Sequence, residues 1–338
     1  MRCLLHADGG PGIGLGHASR CGALAAALLR QGHATRVLVA PSSRLGEYLR
    51  RLGVPVVETA GGRESMLREA RAFGAHVLVI DSYRWTPDDF MALRRAHQPV
   101  VAFDDEARRA LPVDAVVNGA PAAAQLAYDV LPHTRAWLGP AYQVVRDDFR
   151  DVPARTPARA VERVIVLVGG DDPLRLLQPL AERLDVWSDA VRPRFRSELI
   201  CGPYAATPET AGLTHVDVVR HPPDLRGRMT SADLALSAGG QTLYELARCG
   251  TPTIAFRTGA DQANNLAALA AAGVVLDTGA PDDVQWLERV EAAVRTLAGD
   301  AAARDEMSRR AQHLVDGRGA DRLAQAIARL IEHAGVGA

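Results

Sequence analysis

Short apolar runs alternate along the chain with longer stretches in which apolar residues recur at helical spacing. In the first half, the runs predicted as strands are Cys3–His6, Thr35–Val39, His76–Ile80, Val100–Phe103 and Ala115–Val117. The stretches predicted as helices between such runs include His17–Arg30 and Pro87–His97. This alternation is typical of βαβ units, so we expect an α/β protein built on parallel sheets.

The alternation stops at Asp151–Ala160, a stretch that contains two prolines and has no apolar periodicity. Proline removes a backbone donor and restricts the residue before it, so this stretch is predicted as a linker. The second series of predicted strands is Val164–Val168, Ser197–Ile200, Val216–Val219, Leu234–Ser237 and Thr253–Phe256. The helices predicted with them are Gln241–Cys249, Asp261–Ala272, Asp282–Leu297 and Ala320–His333.

A length of 338 residues also suits two domains. We predict an N-terminal domain at 1–150, a C-terminal domain at 161–318 and a final helix at 319–338, which could cross back onto the first domain. Two open α/β sheets joined by a linker leave a cleft at the carboxyl ends of their strands, where such sheets bind ligands.

Composition narrows the classes of function. The chain is 48% hydrophobic and 23% charged, as globular proteins are, and its net charge of −1 without a basic block argues against nucleic acid as a partner. The first apolar run is too short for a signal peptide, and no run approaches the roughly 18 residues of a membrane helix, so we expect a cytoplasmic protein, with a monomer favoured. The scattered cysteines are expected to be buried thiols rather than disulfides or zinc ligands.

The chain contains no lysine, and all 39 basic residues other than histidine are arginine. A Walker-type phosphate loop and a pyridoxal phosphate Schiff base both need a lysine, so both are excluded. No cofactor is predicted.

A glycine-rich turn joins the first predicted strand to the first predicted helix. Five glycines lie between Asp8 and His17, and the last two of them are Gly14 and Gly16. Glycine permits positive φ and close approach of a ligand, and the amide groups and dipole of a helix N-terminus suit an anionic or highly oxygenated ligand. We therefore expect Gly14 and Gly16 to bind the ligand.

His17 is the leading candidate for catalysis. The positive end of a helix disfavours imidazolium, so we expect a mostly neutral His17 near neutral pH, able to act as a general base. The alternative is a histidine that caps or packs at the helix start. Arg20 lies one turn further on the same face, where it could contact phosphate or a substrate carboxylate, or could be a solvated surface arginine.

Similar turns follow two predicted strands of the second half. Gly239-Gly240-Gln241-Thr242 opens a helix whose amide groups and Thr242 hydroxyl could bind a diphosphate without metal or lysine. Glu245, one turn deeper, could accept the hydroxyls of a ribose, or could interact only with the helix dipole.

The second turn, at Gly169-Gly170, continues into Asp171 and Asp172, which we expect to cap a helix rather than to bind a metal ion. Gln262 and Asn265 stand three residues apart at a further helix start, so both could face the ligand.

Taken in order along most of the chain, these motifs resemble the GT-B superfamily, to which MurG-type glycosyltransferases belong. Within it, they resemble the hydrolases that release the sugar from UDP-2,4-diacetamido-2,4,6-trideoxy-β-L-altrose in pseudaminic acid biosynthesis, and the spore-coat polysaccharide proteins. Gly14-Leu15-Gly16-His17-Ala18-Ser19-Arg20 is similar to their G-x-G-H-x-x-R, and Asp81-Ser82-Tyr83 to their D-x-Y after a strand. The further matches are Asp104-Asp105, Asn118, Leu138-Gly139-Pro140-Ala141-Tyr142 with Arg146 and Phe149, Gly169-Gly170-Asp171-Asp172-Pro173, and Gly239-Gly240-Gln241-Thr242 with Glu245.

The resemblance implies two Rossmann-like domains that face each other across a cleft. It also implies a catalytic histidine at His17, a site tyrosine at Tyr83 next to Asp81, and a ribose-binding glutamate at Glu245. For Tyr83, packing at the rim of the site is the alternative. The positions that depart from the family pattern are Gln241 for serine, Tyr244 for tryptophan, and Asp261-Gln262 for Asn-Gln.

The leading hypothesis is hydrolysis with inversion, in which the second domain holds UDP. A neutral His17 activates water at the anomeric carbon, Tyr83 positions the water or the sugar, and amide dipoles meet the charge of the leaving diphosphate, so no metal is required. The alternative is an inverting glycosyltransferase, in which His17 deprotonates an acceptor hydroxyl or amine. A nucleotide-sugar sensor without activity is a third possibility.

A transferase that acts at a membrane usually has an apolar or basic patch on its first domain. The candidate for such a patch is Leu45–Leu52, with Arg44, Arg50 and Arg51.

Overall fold

The computed structural model describes residues 1–9, 15–41, 44–96, 99–282 and 285–333, with Arg44 described by its backbone alone. The chain divides into two compact units. The first unit comprises Met1–Arg150 together with Gly317–Ala338, and the second comprises Asp151–Asp316.

The first unit is built on a parallel sheet. Its strands are β1 (Arg2–Ala7), β2 (Ala34–Val39), β3 (Val56–Glu58), β4 (Val77–Asp81), β5 (Val100–Phe103), β6 (Ala115–Asn118) and β7 (Arg135–Leu138). They pair in the order β3-β2-β1-β4-β5-β6-β7, so β1 and β4 are neighbours near the centre. The register places Ala7 beside Asp81, and the segments that follow these two strands therefore start at one edge of the sheet.

The helices that follow these strands are α1 (Gly16–Arg30), α2 (Arg44–Arg51), α3 (Gly62–Phe73) and α4 (Pro87–Arg95). α1 buries Leu24 and Leu28 in the core of the unit. α2 also places its apolar side chains, Leu45 and Leu49, in that core, and Leu52 after the helix is 41% exposed. Two leucines of the stretch considered above as a membrane patch are therefore buried in the core.

The second unit has a parallel sheet of its own, in the order β10-β9-β8-β11-β12-β13. Its strands are β8 (Arg163–Leu167), β9 (Arg196–Cys201), β10 (Val216–Arg220), β11 (Leu234–Ala238), β12 (Thr253–Phe256) and β13 (Leu276–Asp277). Its helices are α5 (Leu177–Ala190), α6 (Leu225–Ser231), α7 (Thr242–Cys249), α8 (Ala263–Ala271), α9 (Trp286–Gly299) and α10 (Ala301–Leu314). A separate apolar core that includes Trp187 and Phe256 fills this unit.

The last helix, α11 (Gly319–His333), belongs to the first unit. It places Leu323 and Ile327 in the same core as α1. Its Asp321 accepts hydrogen bonds from Arg30 and Arg150, each at 2.8 Å. Among the helices within the described ranges, none is long and apolar enough to cross a membrane.

The stretch predicted as a linker is packed on the second unit, which begins at Asp151 rather than at residue 161. Arg155 donates to Thr251 Oγ1 at 3.0 Å, and its backbone N–H donates to Gln312. The fully buried Arg304 donates to the carbonyls of Ala158 and Arg159. Long-range contacts of this kind order a segment that has no periodicity of its own.

Candidate active site

His17 and Asp81 form a hydrogen-bonded pair in the first unit. His17 is the second residue of α1, and Asp81 is the last residue of β4. His17 Nδ1 lies 2.6 Å from Asp81 Oδ1, and the Asp81 side chain is almost fully buried while that of His17 is 11% exposed. Because an ionised carboxylate can only accept, Nδ1 carries the proton and the neutral ring has Nε2 as its basic nitrogen.

The pKa of His17 differs in direction from the prediction for an isolated helix N-terminus. Burial lowers the pKa of His17, but the charge and the hydrogen bond of Asp81 outweigh that effect and raise the pKa above its ordinary value of 6.5. The expectation that the helix N-terminus lowers the pKa of His17 was wrong in direction, because a carboxylate in direct contact has the larger effect. A mostly neutral His17 near neutral pH stays a prediction. His17 is a stronger base than an isolated histidine.

Arg20 is buried and bridges two carboxylates. Its guanidinium donates to both oxygens of Asp81 at 2.7 and 2.8 Å, and to both oxygens of Asp105 at 2.8 and 3.0 Å. It also stacks on the ring of Phe103, 4.5 Å from the ring centre. The alternative of a solvated surface arginine was wrong, and direct contact of Arg20 with a ligand stays a prediction.

Tyr83 completes this group of side chains. Its hydroxyl donates to Asp105 Oδ2 at 2.8 Å, and its ring meets the ring of His17 edge to face, with the ring centres 4.9 Å apart. Burial of the hydroxyl and the charge of Asp105 both raise the pKa of Tyr83, so the phenol stays protonated. Tyr83 is nevertheless 45% exposed, so part of the ring is open to solvent.

Asp105 was not among the candidate site residues, although it connects two of them. It follows β5 directly after Asp104, and the adjacent acids at the end of a strand were the available signal. Asp104 has a different role, because it accepts from the backbone N–H groups of Glu106 and Ala107 and so shapes the turn.

The glycine-rich turn lies mostly outside the described residues. This includes Gly14, whose role stays a prediction. Gly16 lies within the described residues, where it is the first residue of α1 and is exposed.

In the second unit, Gly169 and Gly170 follow β8 and pack closely against the turn after β9. Gly169 has a φ of +107°, and a Cβ placed on Gly202 would lie 2.3 Å from the carbonyl oxygen of Gly169. Asp172 accepts from the backbone N–H groups of Leu176 and Leu177 at 2.9 and 3.0 Å. The capping role predicted for this pair is confirmed for Asp172. Across the described ranges, no group of three or more His, Cys, Asp or Glu residues could hold a metal ion.

Gly239 and Gly240 follow β11, which pairs with β8, so both glycine pairs lie at the same edge of this sheet. A Cβ on Gly239 would lie 2.9 Å from Gln262 Oε1, whereas nothing lies within 4 Å of a Cβ on Gly240. Gln262 accepts from the backbone N–H of Thr258 at 2.9 Å. Gln262 therefore braces the turn after β12 against Gly239.

The helix that begins after these glycines contains the remaining candidates. Gln241 precedes α7, Thr242 is its first residue, and Glu245 is buried in its first turn. Tyr244 donates from its hydroxyl to Asn265 Oδ1, which joins α7 to α8. Contact of these residues with a ligand stays a prediction.

Comparisons with known proteins identify the fold. No family model matches the chain. The chain is 23% identical to the spore coat polysaccharide biosynthesis protein SpsG of Bacillus subtilis (strain 168). The alignment is 351 positions long and covers 98% of this chain and 99% of SpsG.

Solved structures that match along nearly the whole chain include MurG, SpnG and CalG4. MurG of Acinetobacter baumannii has a TM-score of 0.65 at 16% identity, over 97% of this chain and 99% of MurG. The spinosyn rhamnosyltransferase SpnG complexed with thymidine diphosphate has a TM-score of 0.64 at 17% identity, over 97% of this chain and 100% of SpnG. The calicheamicin glycosyltransferase CalG4 has a TM-score of 0.63 at 14% identity, over 98% of each chain. The prediction of a GT-B α/β fold with two Rossmann-like domains is confirmed.

Proposed function

We propose that this protein is an inverting glycosyltransferase that uses a nucleoside diphosphate sugar. The observation that carries the proposal is the His17–Asp81 pair, in which a buried carboxylate 2.6 Å from Nδ1 leaves Nε2 as a base. A carboxylate that holds one ring nitrogen of a histidine fixes the tautomer and stabilises the imidazolium that forms during the reaction.

In the proposed reaction, the basic Nε2 acts on the acceptor. Nε2 of His17 takes the proton of an acceptor hydroxyl or amine while the acceptor atom attacks the anomeric carbon of the sugar. The bond from that carbon to the diphosphate oxygen breaks, and its electron pair leaves with the nucleoside diphosphate. Attack from the face opposite the leaving group inverts the anomeric configuration. General base catalysis of this kind accelerates a reaction by about 10²–10⁴.

The second unit is proposed to hold the nucleoside diphosphate. The glycine pairs after β8 and β11 lie at one edge of its sheet, and Gly240 leaves open space beside the start of α7. Backbone N–H groups at such a helix start bind phosphate oxygens and stabilise the charge of a leaving diphosphate. The description of SpnG as a complex with thymidine diphosphate agrees with this assignment. Glu245 is proposed to bind the ribose.

The names of the structural neighbours favour a transferase, because SpnG and CalG4 are described as glycosyltransferases. Hydrolysis is the second candidate, and it is favoured by the ordered motifs that resemble those of the pseudaminic acid hydrolases. In that case water takes the place of the acceptor, and His17 has the same role.

One experiment tests both candidates. Purified protein is incubated with UDP-, dTDP- and CMP-sugars, each with and without a panel of sugar and amine acceptors. Release of the nucleotide is measured by chromatography, and the products are identified by mass spectrometry and by the anomeric signal in NMR. Release that requires an acceptor supports the transferase, whereas equal release in water supports the hydrolase. Absence of release with every sugar contradicts both.

The His17→Asn variant tests the role of the base. We expect kcat to fall by about 10²–10⁴, because asparagine has no basic ring nitrogen. The unfolding temperature should change little near or above neutral pH, because the amide N–H of asparagine can still donate to Asp81. The matched control is His133→Asn, since His133 is 59% exposed and contacts Arg94. Unchanged turnover in the His17 variant would remove the histidine from the mechanism.

A further inference from the structure

The side chains around His17 present hydrogen-bond acceptors toward solvent. We define the His17 cluster as His17, Arg20, Asp81, Tyr83 and Asp105. The N–H of His17 Nδ1 is used on Asp81, and the O–H of Tyr83 is used on Asp105. Tyr83 is 45% exposed, the Asp105 side chain is 32% exposed and the His17 side chain is 11% exposed. The polar atoms that these side chains still offer to a ligand are the phenol oxygen, the carboxylate oxygens and His17 Nε2. In the unprotonated state all three are acceptors.

The guanidinium of Arg20 does not change the acceptor character of the cluster. Its Nε, Nη1 and Nη2 groups all donate to carboxylate oxygens, and its side chain is 10% exposed. A buried arginine bonded to two carboxylates has its charge more than neutralised by them. With neutral His17, the cluster carries one excess negative charge.

Carboxylates beside the cluster each have a basic partner. Asp8 follows β1 and has Arg84 at 3.9 Å and His6 at 3.6 Å. After β5, Asp104 pairs with Arg109 at 3.3 Å and Glu106 pairs with Arg108 at 3.0 Å. Within the described part of this edge of the sheet, the excess charge therefore belongs to the His17 cluster, and Asp105 is its most accessible carboxylate.

We propose that the first unit selects a neutral or cationic hydrogen-bond donor at His17 and rejects carboxylates and phosphates, and that Asp105 sets this selectivity. Two features of Asp105 produce it. Its carboxylate supplies the second negative charge opposite Arg20, and it accepts the hydrogen bond of the Tyr83 hydroxyl, so the phenol oxygen is left to accept from the incoming group.

This selectivity specifies which substrate groups can enter beside His17. That consequence for the substrate rests on the proposed function. The group that enters beside His17 is a sugar hydroxyl, an amine or water, and the anionic diphosphate is left to the second unit. Asp105 is a positioning residue in this scheme, since it acts through Tyr83 and through the charge of the cluster.

A pair of alkylating reagents tests the selectivity without any sugar substrate. Iodoacetamide and iodoacetate have similar size and reactivity and differ in charge, and both alkylate a neutral imidazole with loss of iodide. The protein is treated with each reagent at alkaline pH, and carboxymethyl or carbamidomethyl groups on His17 and on the exposed His133 are quantified by peptide mass spectrometry. The ratio of the iodoacetamide rate to the iodoacetate rate is compared between the two histidines.

We expect a ratio at His17 at least about threefold higher than the ratio at His133, because a nearby negative charge repels the anionic reagent. Asp105→Asn should bring the His17 ratio close to that of His133. Tyr83→Phe should keep the high ratio, because the charge remains. The matched control for net charge is Glu64→Gln, an exposed carboxylate on α3, which should leave the ratio unchanged.

Three results would overturn the proposal. They are equal ratios at His17 and His133 in the unmodified protein, an unchanged ratio in the Asp105 variant, and an equal decrease in the Glu64 variant. Since the reagents need no donor sugar, a protein that releases no nucleotide can still show the selectivity. A protein that transfers sugars can likewise fail to show it.

Discussion

Asp81 and Asp105 act on His17 in the same direction, but through different contacts. Asp81 holds the ring directly, while Asp105 acts by its charge from the far side of Arg20. Burial opposes both, since it disfavours the imidazolium form. The net result is a histidine whose pKa lies above 6.5, and this has a measurable consequence for activity.

We predict that kcat/KM rises with pH through the pKa of His17. A general base works when it is unprotonated, so activity should fall about tenfold per pH unit below that pKa, which lies above 6.5. In Asp105→Asn the inflection should move to lower pH, because the charge of Asp105 is one cause of the raised pKa. A pH–rate profile with the Glu64→Gln protein as control checks this, and an inflection below 6.5 in the unmodified protein would contradict it.

The same raised pKa contributes to folding with the opposite pH dependence. Protonated His17 interacts favourably with Asp81 in the folded state, so this contribution to stability is fully present below pH 6.5. It is lost as the pH rises through the pKa of the folded protein. The proposed role of His17 as a base therefore falls in the pH range in which its ion pair stabilises the fold least.

Among the secondary-structure elements, α11 depends on a close contact at its first residue. A Cβ placed on Gly319 would lie 2.0 Å from the carbonyl oxygen of Gln143 and 2.5 Å from its carbonyl carbon. Both of these atoms are backbone atoms, so the helix or the segment at Gln143 would have to move.

We predict that Gly319→Ala destabilises the first unit by about 1–3 kcal/mol, the usual range for overpacking a tight contact. The measurement is urea unfolding followed by circular dichroism. Gly299→Ala is the control, because nothing lies within 4 Å of a Cβ there and alanine favours a helix. Equal unfolding midpoints for the two variants would show that the start of α11 tolerates a side chain.

The strands that the hydrophobic pattern did not predict are the edge strands β3, β7 and β13. Each is short, and the burial of each is incomplete, with residues such as Glu58, Arg135 and Asp277 exposed. Edge strands pair on one side only, so their sequences need no long apolar run. Buried strands such as β5 and β12 have the bounds predicted for them, Val100–Phe103 and Thr253–Phe256.

At the scale of the whole molecule, each unit has its own sheet and its own apolar core. The packed stretch around Arg155 is part of the second unit, whereas α11 completes the first. The chain therefore makes two folding units from three sequence segments.

We predict that a fragment of residues 151–316 folds alone, with a cooperative thermal transition and a near-ultraviolet signal from the buried Trp187 and Trp286. A chain of residues 1–316 should instead lose stability in its first unit. It lacks Leu323 and Ile327, whose burial contributes about 1.5–3 kcal/mol each. Circular dichroism and calorimetry of both proteins check this, and an unfolded fragment of 151–316 would contradict it.

The sequence by itself determined the class of fold and the candidate site residues that lie at strand and helix ends. Apolar runs and helical spacing are properties of neighbouring residues, so β1, α1 and their glycine-rich connection are visible without any tertiary contact. The same holds for the glycines that precede α7, and for His17 as a residue at a helix start.

Only the tertiary structure decided the pKa shift of His17 and the hydrogen-bond partners of Arg20. The partner of both is Asp81, which is more than sixty residues away in the chain and reaches them because β4 pairs with β1. The same is true of Asp105, which enters from the end of β5, and of α11, which returns to α1 from the end of the chain. Charge and ionisation depend on what lies within a few ångströms, and a linear pattern contains no information on which distant residue that will be.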